Sequence, residues 1–394
     1  MRIRTAAAGL VAALSLSACG GALPDNLRGE DSHSSTHAAS PPAAEAKTVP
    51  EPADVALRAG ESFQELSMAA KYTPKAPFGT GTDDYRCFLA DPKFAEDMIV
   101  SGVKIEPDNP AAVHHVILYK VDPANVGAAE AMDAKDAEQG WTCFGGTGIN
   151  AGPGAQLNNA EWVGAWAPGG GERVMAEDIG IPLAKGSRVV IQMHYNLLAG
   201  GGADQSKARL RLTPASAGKK TPLETMLLPA PVELPCREDT PGELCARTPA
   251  VADIRKRFGE QVATADLLHL LCGELKPGPT QSCTRPVREA GLIRAVSGHM
   301  HLLGKSMTVD INKGTPQAKR VLDIPIWNFD DQGAIPLAKP AAVKNGDSVT
   351  VTCTHDQAMR DVLPSYEGTQ ERYVAWGEGT TDEMCLGIVL LTRS

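Results

Sequence analysis

Nine histidines occur in the chain, and five of them fall in three tight settings: His114-His115, His194 within Gln192-Met193-His194-Tyr195, and His299-Met300-His301. Imidazole is the commonest neutral nitrogen ligand and suits copper, zinc, iron or nickel, so this clustering points to a metal centre. Along a strand, residues two apart share a face, which lets His299 and His301 reach one ion without backbone distortion. The adjacent pair is different. On a regular strand His114 and His115 face opposite ways, and joint ligation requires a bulge, a strand end or a twisted edge. Taken singly, either motif is better explained by one core and one surface imidazole; together the three favour a metal. His33 and His37 lie in a polar stretch and read as solvated side chains. His269, in Leu267–Leu271, reads as a helix-face or core residue, and His355, in step with Val349, Val351 and Cys353, as a satisfied structural histidine.

The elements that must carry these residues are strands. Strand patterns run over Val113–Tyr119, Arg188–Tyr195, Ala208–Thr213, Ile293–Leu303, Met307–Asn312, Ser348–His355 and Cys385–Leu391. Turn signals such as Lys185-Gly186, Lys313-Gly314 and Asn345-Gly346-Asp347 separate them. With 43% hydrophobic residues, 39 Gly and 29 Pro, the composition suits a turn-rich β protein. A chain of 394 residues exceeds one ordinary core. Pro214–Pro235, rich in Pro and Lys, is the candidate junction between two domains. Val251–Leu271 predicts the one convincing helix, within an insertion between Cys236 and Cys283. No internal repeat is present.

The N-terminus carries Arg2 and Arg4, an apolar run from Ala6 to Leu16, and Leu16-Ser17-Ala18-Cys19. This is similar to a bacterial lipobox and implies a signal peptide over 1–18 and acylation of Cys19; the alternative is an ordinary signal peptide with an incidental cysteine. The run is too short for a transmembrane span. Residues 19–55 read as an acylated cysteine and a Ser-, Ala- and Pro-rich tether. The expected location is the bacterial cell envelope, lipid-anchored and facing the periplasm or the exterior. Gly20, rather than Asp, after Cys19 favours the outer membrane. Export places the remaining eight cysteines in an oxidising compartment, where their even number reads as disulfides. A net charge of -9 supplies no basic stripe, which argues against a nucleic-acid partner.

Read in order, Asp84-Tyr85-Arg86-Cys87, His114-His115-Val116, Gln192-Met193-His194-Tyr195, His299-Met300-His301-Leu302-Leu303-Gly304 and Asp382-Glu383-Met384-Cys385 resemble the motifs of the copper type II, ascorbate-dependent monooxygenases. Those enzymes include the peptidylglycine α-hydroxylating and dopamine β-monooxygenases. The resemblance spans roughly Thr82 to Leu391. It implies an all-β fold of two antiparallel, jelly-roll-type sandwiches, 56–215 and 216–394, with the active site in the cleft between them and a Cys-rich insertion at about 236–283. It makes His114, His115 and His194 ligands of an electron-storing copper. His299, His301 and Met384 become the catalytic ligands of a second copper, where O2 binds and a substrate C–H bond is attacked. Ascorbate or a similar reductant would be co-substrate. A thioether independently favours Cu(I) over zinc and hard cations, although a core role is the alternative for Met384. Gln192 shares a strand face with His194 and is placed beside the first site, with a purely structural glutamine as the alternative.

The resemblance also implies the disulfides Cys87–Cys143 and Cys353–Cys385; Cys283 matches a family cysteine whose C-terminal partner is missing here, and of the three pairings open to the other four cysteines Cys236–Cys245 with Cys272–Cys283 is the one expected. Where the peptide enzyme has an arginine two residues before His-x-His, this chain has Ser297. Where it has polar residues after the methionine, this chain has Leu386 and Ile388, followed by Leu390. These share a strand face with Met384 and suggest an apolar pocket for a small, neutral substrate; the alternative is that they face a core. Two other functions use the same ligands: a copper-buffering, copper-carrying or copper-sensing lipoprotein without catalysis, and a three-histidine zinc hydrolase, against which Met384 argues.

Overall fold

Period-2 alternation of Val, Ile, Leu and Tyr with polar neighbours produces strands wherever the pattern is sustained, including Val113–Val121, Arg188–Asn196, Lys207–Pro214, Gly291–His299, Gly304–Ile311, Ser348–His355 and Leu386–Arg393. The computed structural model describes residues 55–136, 138–149, 159–199, 201–259 and 264–393. Cys19, His33 and His37 lie outside the described residues, as do the signal peptide and most of the tether. Among the described residues no helix is long and apolar enough to cross a membrane.

One long sheet runs in the order Ser62–Ser67, Lys207–Pro214, Met98–Glu106, Ile179–Leu183, Thr221–Pro229, Leu386–Arg393, Gly291–His299 and Ile335–Val343. A five-stranded sheet packs on its first half, in the order Trp141–Thr142, Asp83–Ala90, Arg188–Asn196, Val113–Val121 and Trp162–Trp166. Val100, Val103 and Leu210 of the long sheet meet Val116, Leu118, Ile191 and Met193 of the other in one apolar core. A four-stranded sheet covers the second half, in the order Thr280–Pro286, Ser348–His355, Gly304–Ile311 and Lys319–Ile324. There Val296, Val389 and Leu391 pack with Met307, Val309 and Val351 in a second core. The fold is therefore all-β, built of antiparallel sandwiches. Each fully buried Val or Leu contributes about 1.5–3 kcal/mol of burial energy, which makes the two cores the main support of the histidine-bearing strands.

The stretch Pro214–Pro235 is where the chain passes between the cores, but it is no linker. Its strand Thr221–Pro229 pairs antiparallel with Leu386–Arg393 and makes a short parallel contact with Ile179 and Gly180. The halves thus share a continuous sheet. Leu390 and Ala295 turn towards the first core while their neighbours Val389 and Val296 enter the second.

All four disulfides form: Cys87–Cys143, Cys236–Cys245, Cys272–Cys283 and Cys353–Cys385. The predicted single helix is instead two, Arg247–Phe258 and Thr264–Cys272. The first is followed by Gly259 at φ 96°, a left-handed conformation that continues no helix and that glycine adopts without a Cβ penalty. A further helix, Val126–Asp133, follows the His114-His115 strand.

Candidate metal centre

The first histidine group is made by a defect in a ladder. Arg188–Asn196 pairs with Val113–Val121 in regular antiparallel register as far as His194 opposite His115; the next residue, Tyr195, then lies opposite Val113. His114 is the extra residue of a β-bulge. The local rotation turns both adjacent imidazoles to one side, as joint ligation requires. His114 Nδ1 lies 2.8 Å and His115 Nδ1 3.4 Å from His194 Nδ1. Two nitrogens bound at about 2.0 Å to one ion, at angles of roughly 90–120°, stand about 2.8–3.5 Å apart. The spacing fits a shared metal ion, and one ligand atom from each ring lies within 4.8 Å of the others.

The chemistry of the rings agrees. Burial, followed by the neighbouring imidazoles, pushes His114 and His115 well below the usual histidine range, so both are neutral with lone pairs available. Burial also lowers His194, against an opposing pull from Asp83. His194 Nε2–H donates to Asp83 Oδ1 at 2.9 Å, which fixes the tautomer and leaves Nδ1 as the ligand atom. The Asp83 carboxylate also accepts from Thr380 N at 2.9 Å and Thr380 Oγ1 at 2.6 Å. Burial opposes its charge, but these hydrogen bonds outweigh that and hold its pKa below the usual carboxylate range. Tyr85 stacks on His194 with ring centroids 3.9 Å apart and donates to the Glu378 carbonyl.

Gln192 does something else. Its amide donates to the Gly146 carbonyl at 3.1 Å and lies 3.6 Å from Cys143 Sγ, while Tyr119 Oη donates to its Oε1. It braces the loop after the Cys87–Cys143 disulfide. Support beside the first site comes instead from Asp83, which sequence reading passed over although it adjoins the motif Asp84-Tyr85-Arg86-Cys87. The register offered the signal: Tyr85 pairs with His194, so Asp83, two residues away, shares its face.

The second group ends the strand Gly291–His299. Gly298 is required there, because a Cβ would meet Met307 Sδ at 2.2 Å. Met300 is fully buried in the second core between His299 and His301. His299 Nδ1–H donates to Gln332 Oε1 at 2.6 Å, and His301 Nδ1–H to the Asp382 carbonyl at 3.3 Å. Both rings therefore keep Nε2 as the lone-pair nitrogen, and neither Nε2 has a hydrogen-bond partner despite burial. Buried polar atoms are rarely left so, and two lone-pair nitrogens in this arrangement have the chemistry of metal ligands. Burial, reinforced by His301, pushes His299 down to about 3. Met384 is buried, two residues before Leu386, which pairs with His299. The ladder ends there, and His301 meets the segment before Met384 through the Asp382 carbonyl and the Glu383 carboxylate.

The Glu383 carboxylate locks this corner, accepting from His301 N at 2.9 Å, Leu303 N and Met384 N at 3.2 Å. His355 Nε2–H donates to the Met384 carbonyl at 3.1 Å, the structural role expected of it. His269 meets Glu233 at 2.6 Å, remote from the five histidines in contact and sequence. Ser297 Oγ donates to the Gln332 carbonyl at 3.1 Å. Leu386 and Ile388 are half-buried. Leu390 is packed into the first core, as its core alternative had it, and forms no pocket wall.

Residues 279–391 match the family model described as copper type II ascorbate-dependent monooxygenase, C-terminal domain. Over that stretch the chain is similar to the C-terminal domain of that family. The monooxygenase domain so matched contains His299, His301 and Met384; His114, His115 and His194 lie before it. No curated protein matches the chain. Among solved structures, the chain is similar at 9% identity to a fucolectin from striped bass serum, over 85% of this chain and 97% of that one, with a TM-score of 0.18. It is similar at 10% to an allantoicase, over 85% and 90%, with a TM-score of 0.19. The coconut allergen cocosin gives 9%, 84% and 85%, and 0.17. Likenesses that slight carry no argument.

Proposed function

We propose that the chain is a two-copper monooxygenase that hydroxylates a C–H bond of a small, neutral, largely apolar or aromatic substrate, using O2 and a one-electron reductant such as ascorbate. The family of the C-terminal domain supports copper monooxygenase chemistry. The observation that carries the reading to this chain is three converging Nδ1 atoms beside two buried, partnerless Nε2 atoms of His299 and His301, whose rings lie 5.5–6.5 Å from those of the first group. Copper bound there would supply electron storage and oxygen activation, the chemistry side chains lack. The protein's own part is to hold neutral imidazoles in fixed tautomers through Asp83, Gln332 and the Asp382 carbonyl, and to exclude water by burial. Met384, a soft ligand beside His301, would favour the reduced ion.

The substrate class follows from what stands near the second group. Ser297 replaces a cationic anchor and is itself bonded to Gln332, while Leu386 packs against the second core and Ile388 stays half-buried. Desolvating a carboxylate there without a partner would cost several kcal/mol, roughly. The lipobox-like N-terminus supports anchoring through Cys19 to the outside of a bacterial membrane, with the folded part reaching its substrate from a tether. Oxygen uptake by the ascorbate-reduced, copper-loaded protein should be coupled to hydroxylation of neutral aryl-alkyl compounds, with one 18O atom from 18O2 in each product. Uptake without product would make the chain a copper-handling protein instead. Turnover of a glycine-extended peptide alone would overturn the substrate class.

A further inference from the structure

The helix Arg247–Phe258, in the insertion between Cys236 and Cys283, ends against the segment that runs into Met384. In its last turn the Arg257 guanidinium donates to both carboxylate oxygens of Asp382, at 3.0 and 2.6 Å, a two-pronged fit that a planar guanidinium makes and an ammonium does not. Asp253, one turn back, accepts from Arg257 Nε at 2.9 Å and aims the guanidinium, while Arg372 holds Asp253 at 2.7 Å. Both partners of the ion pair are withdrawn from water, with side chains 12% and 2% exposed. The chain closes tightly around them. Gly379 N donates to Asp382 Oδ2 at 3.1 Å, and a Cβ on Gly379 would stand 2.9 Å from that oxygen and 3.1 Å from Arg257 Nη1.

We propose that Arg257 is a positioning residue for the ligands of both histidine groups, acting through the segment 377–384; this rests on the metal-binding reading above. The segment serves each group with different residues. Towards the first, the Glu378 carbonyl accepts from Tyr85, which stacks on His194, and Thr380 donates twice to Asp83, the partner of His194. Towards the second, the Asp382 carbonyl accepts from His301 Nδ1, and the Glu383 carboxylate holds the His301 and Met384 amides. Asp382 lies between these two sets of contacts, and Arg257 answers its charge. Phe258, the next residue of the helix, meets Phe144 edge-on at 5.3 Å, and Phe144 lies 5.5 Å from Tyr85, so the same turn backs the first group by a second route.

Loss of the guanidinium would leave a buried carboxylate without its counter-charge, a state more costly than the pair is stabilising. The chain relieves it by turning Asp382 towards water. That rotation draws the Asp382 carbonyl off His301 and displaces the backbone of Met384 two residues on. The base of the insertion is fixed separately, because buried Glu233 accepts from Arg247, His269 and Tyr373. Ligand position can therefore change while the fold is kept.

The test uses full-length protein and Cu(I) alone. Arg257→Met, which keeps the bulk and loses the charge, should lower Cu(I) affinity at His299, His301 and Met384 by about tenfold, and at the three-histidine group by less. Copper–sulfur scattering in X-ray absorption should weaken with it. Arg257→Lys, which keeps the charge without the two-pronged fit, should fall between that variant and the native protein in both readouts. Arg211→Met strips a fully buried arginine from Glu61 and Glu172 in the first sandwich; it controls for lost stability and should bind Cu(I) as the native protein does. Native affinity and sulfur scattering in Arg257→Met, or equal losses in Arg211→Met, would overturn the positioning role and leave the two-copper reading standing. Should Arg257→Met not fold, native readouts in Arg257→Lys would overturn it equally. A native protein that binds no Cu(I), or binds it without sulfur scattering, would overturn the metal-binding reading together with this one.

Discussion

The three histidines of the first sandwich and the pair of the second come within 5.5–6.5 Å of one another, ring centroid to centroid, by different means. The first group is self-sufficient: a bulge aligns the rings, their Nδ1 atoms already converge, and a charged carboxylate fixes His194. The pair presents Nε2 atoms instead, held by neutral acceptors, the Gln332 amide and the Asp382 carbonyl, with Met384 buried two residues after Asp382. A carboxylate makes its histidine a stronger donor than an amide does. The contrast suggests a division of labour, with a rigid all-nitrogen site for holding charge and a softer, less committed one for chemistry.

The largest effect should come from His194→Ala, which removes the nitrogen common to both short contacts. Copper content should fall from two ions per chain to one, read by elemental analysis, with the pair still occupied; loss of both ions would show that the groups are not separable in binding.

Next in size is a pH effect at the seam. Burial, with Asp382 adding to it, raises the Glu378 carboxyl to about 7 from 4.5. A folded pKa above the unfolded one means the native state binds more protons between those values. Its contribution to stability is therefore greatest below pH 4.5 and declines as pH rises to about 7, by ~3 kcal/mol in total. Glu378→Gln should flatten that decline in the metal-free protein, as measured by denaturant unfolding at a series of pH values. An unchanged slope would mean that the carboxyl is not held as described.

Asp83→Asn should weaken metal binding at the first group by about 10–100-fold, the usual cost of losing such a partner, without abolishing it. Gln332→Leu should cost the second group less, on the order of a few-fold to tenfold, because an amide contributes less than a carboxylate. Competition titrations on both variants would sharpen the contrast, and equal losses would erase it.

Much of this was legible beforehand, because it depends on local period. The strands carrying His194 and His299, and the need for a bulge at His114-His115, follow from alternation alone, whereas Met384 lies just ahead of the strand Leu386–Arg393. The supporting residues do not. Asp83 and His194 are 111 residues apart, and Gln332 sits 33 residues from His299 in a connection without periodicity. Gln192 shares the parity of His194 but spends its amide on Gly146, since a shared face does not fix a partner. Alternation groups Leu390 with Leu386 and Ile388 and leaves pocket and core open, because it cannot reveal that a strand of the second sandwich turns one face towards the first core. Gly259 divides a pattern that looked like one helix, an interruption visible only through its backbone conformation.

The most direct test of the account is an anaerobic Cu(I) titration of the reduced protein beside Met384→Ala. Two equivalents per chain should bind, and the variant should keep the all-histidine site while losing Cu(I) affinity at the other. One equivalent in the native protein, or unchanged affinity at both sites in the variant, would contradict it.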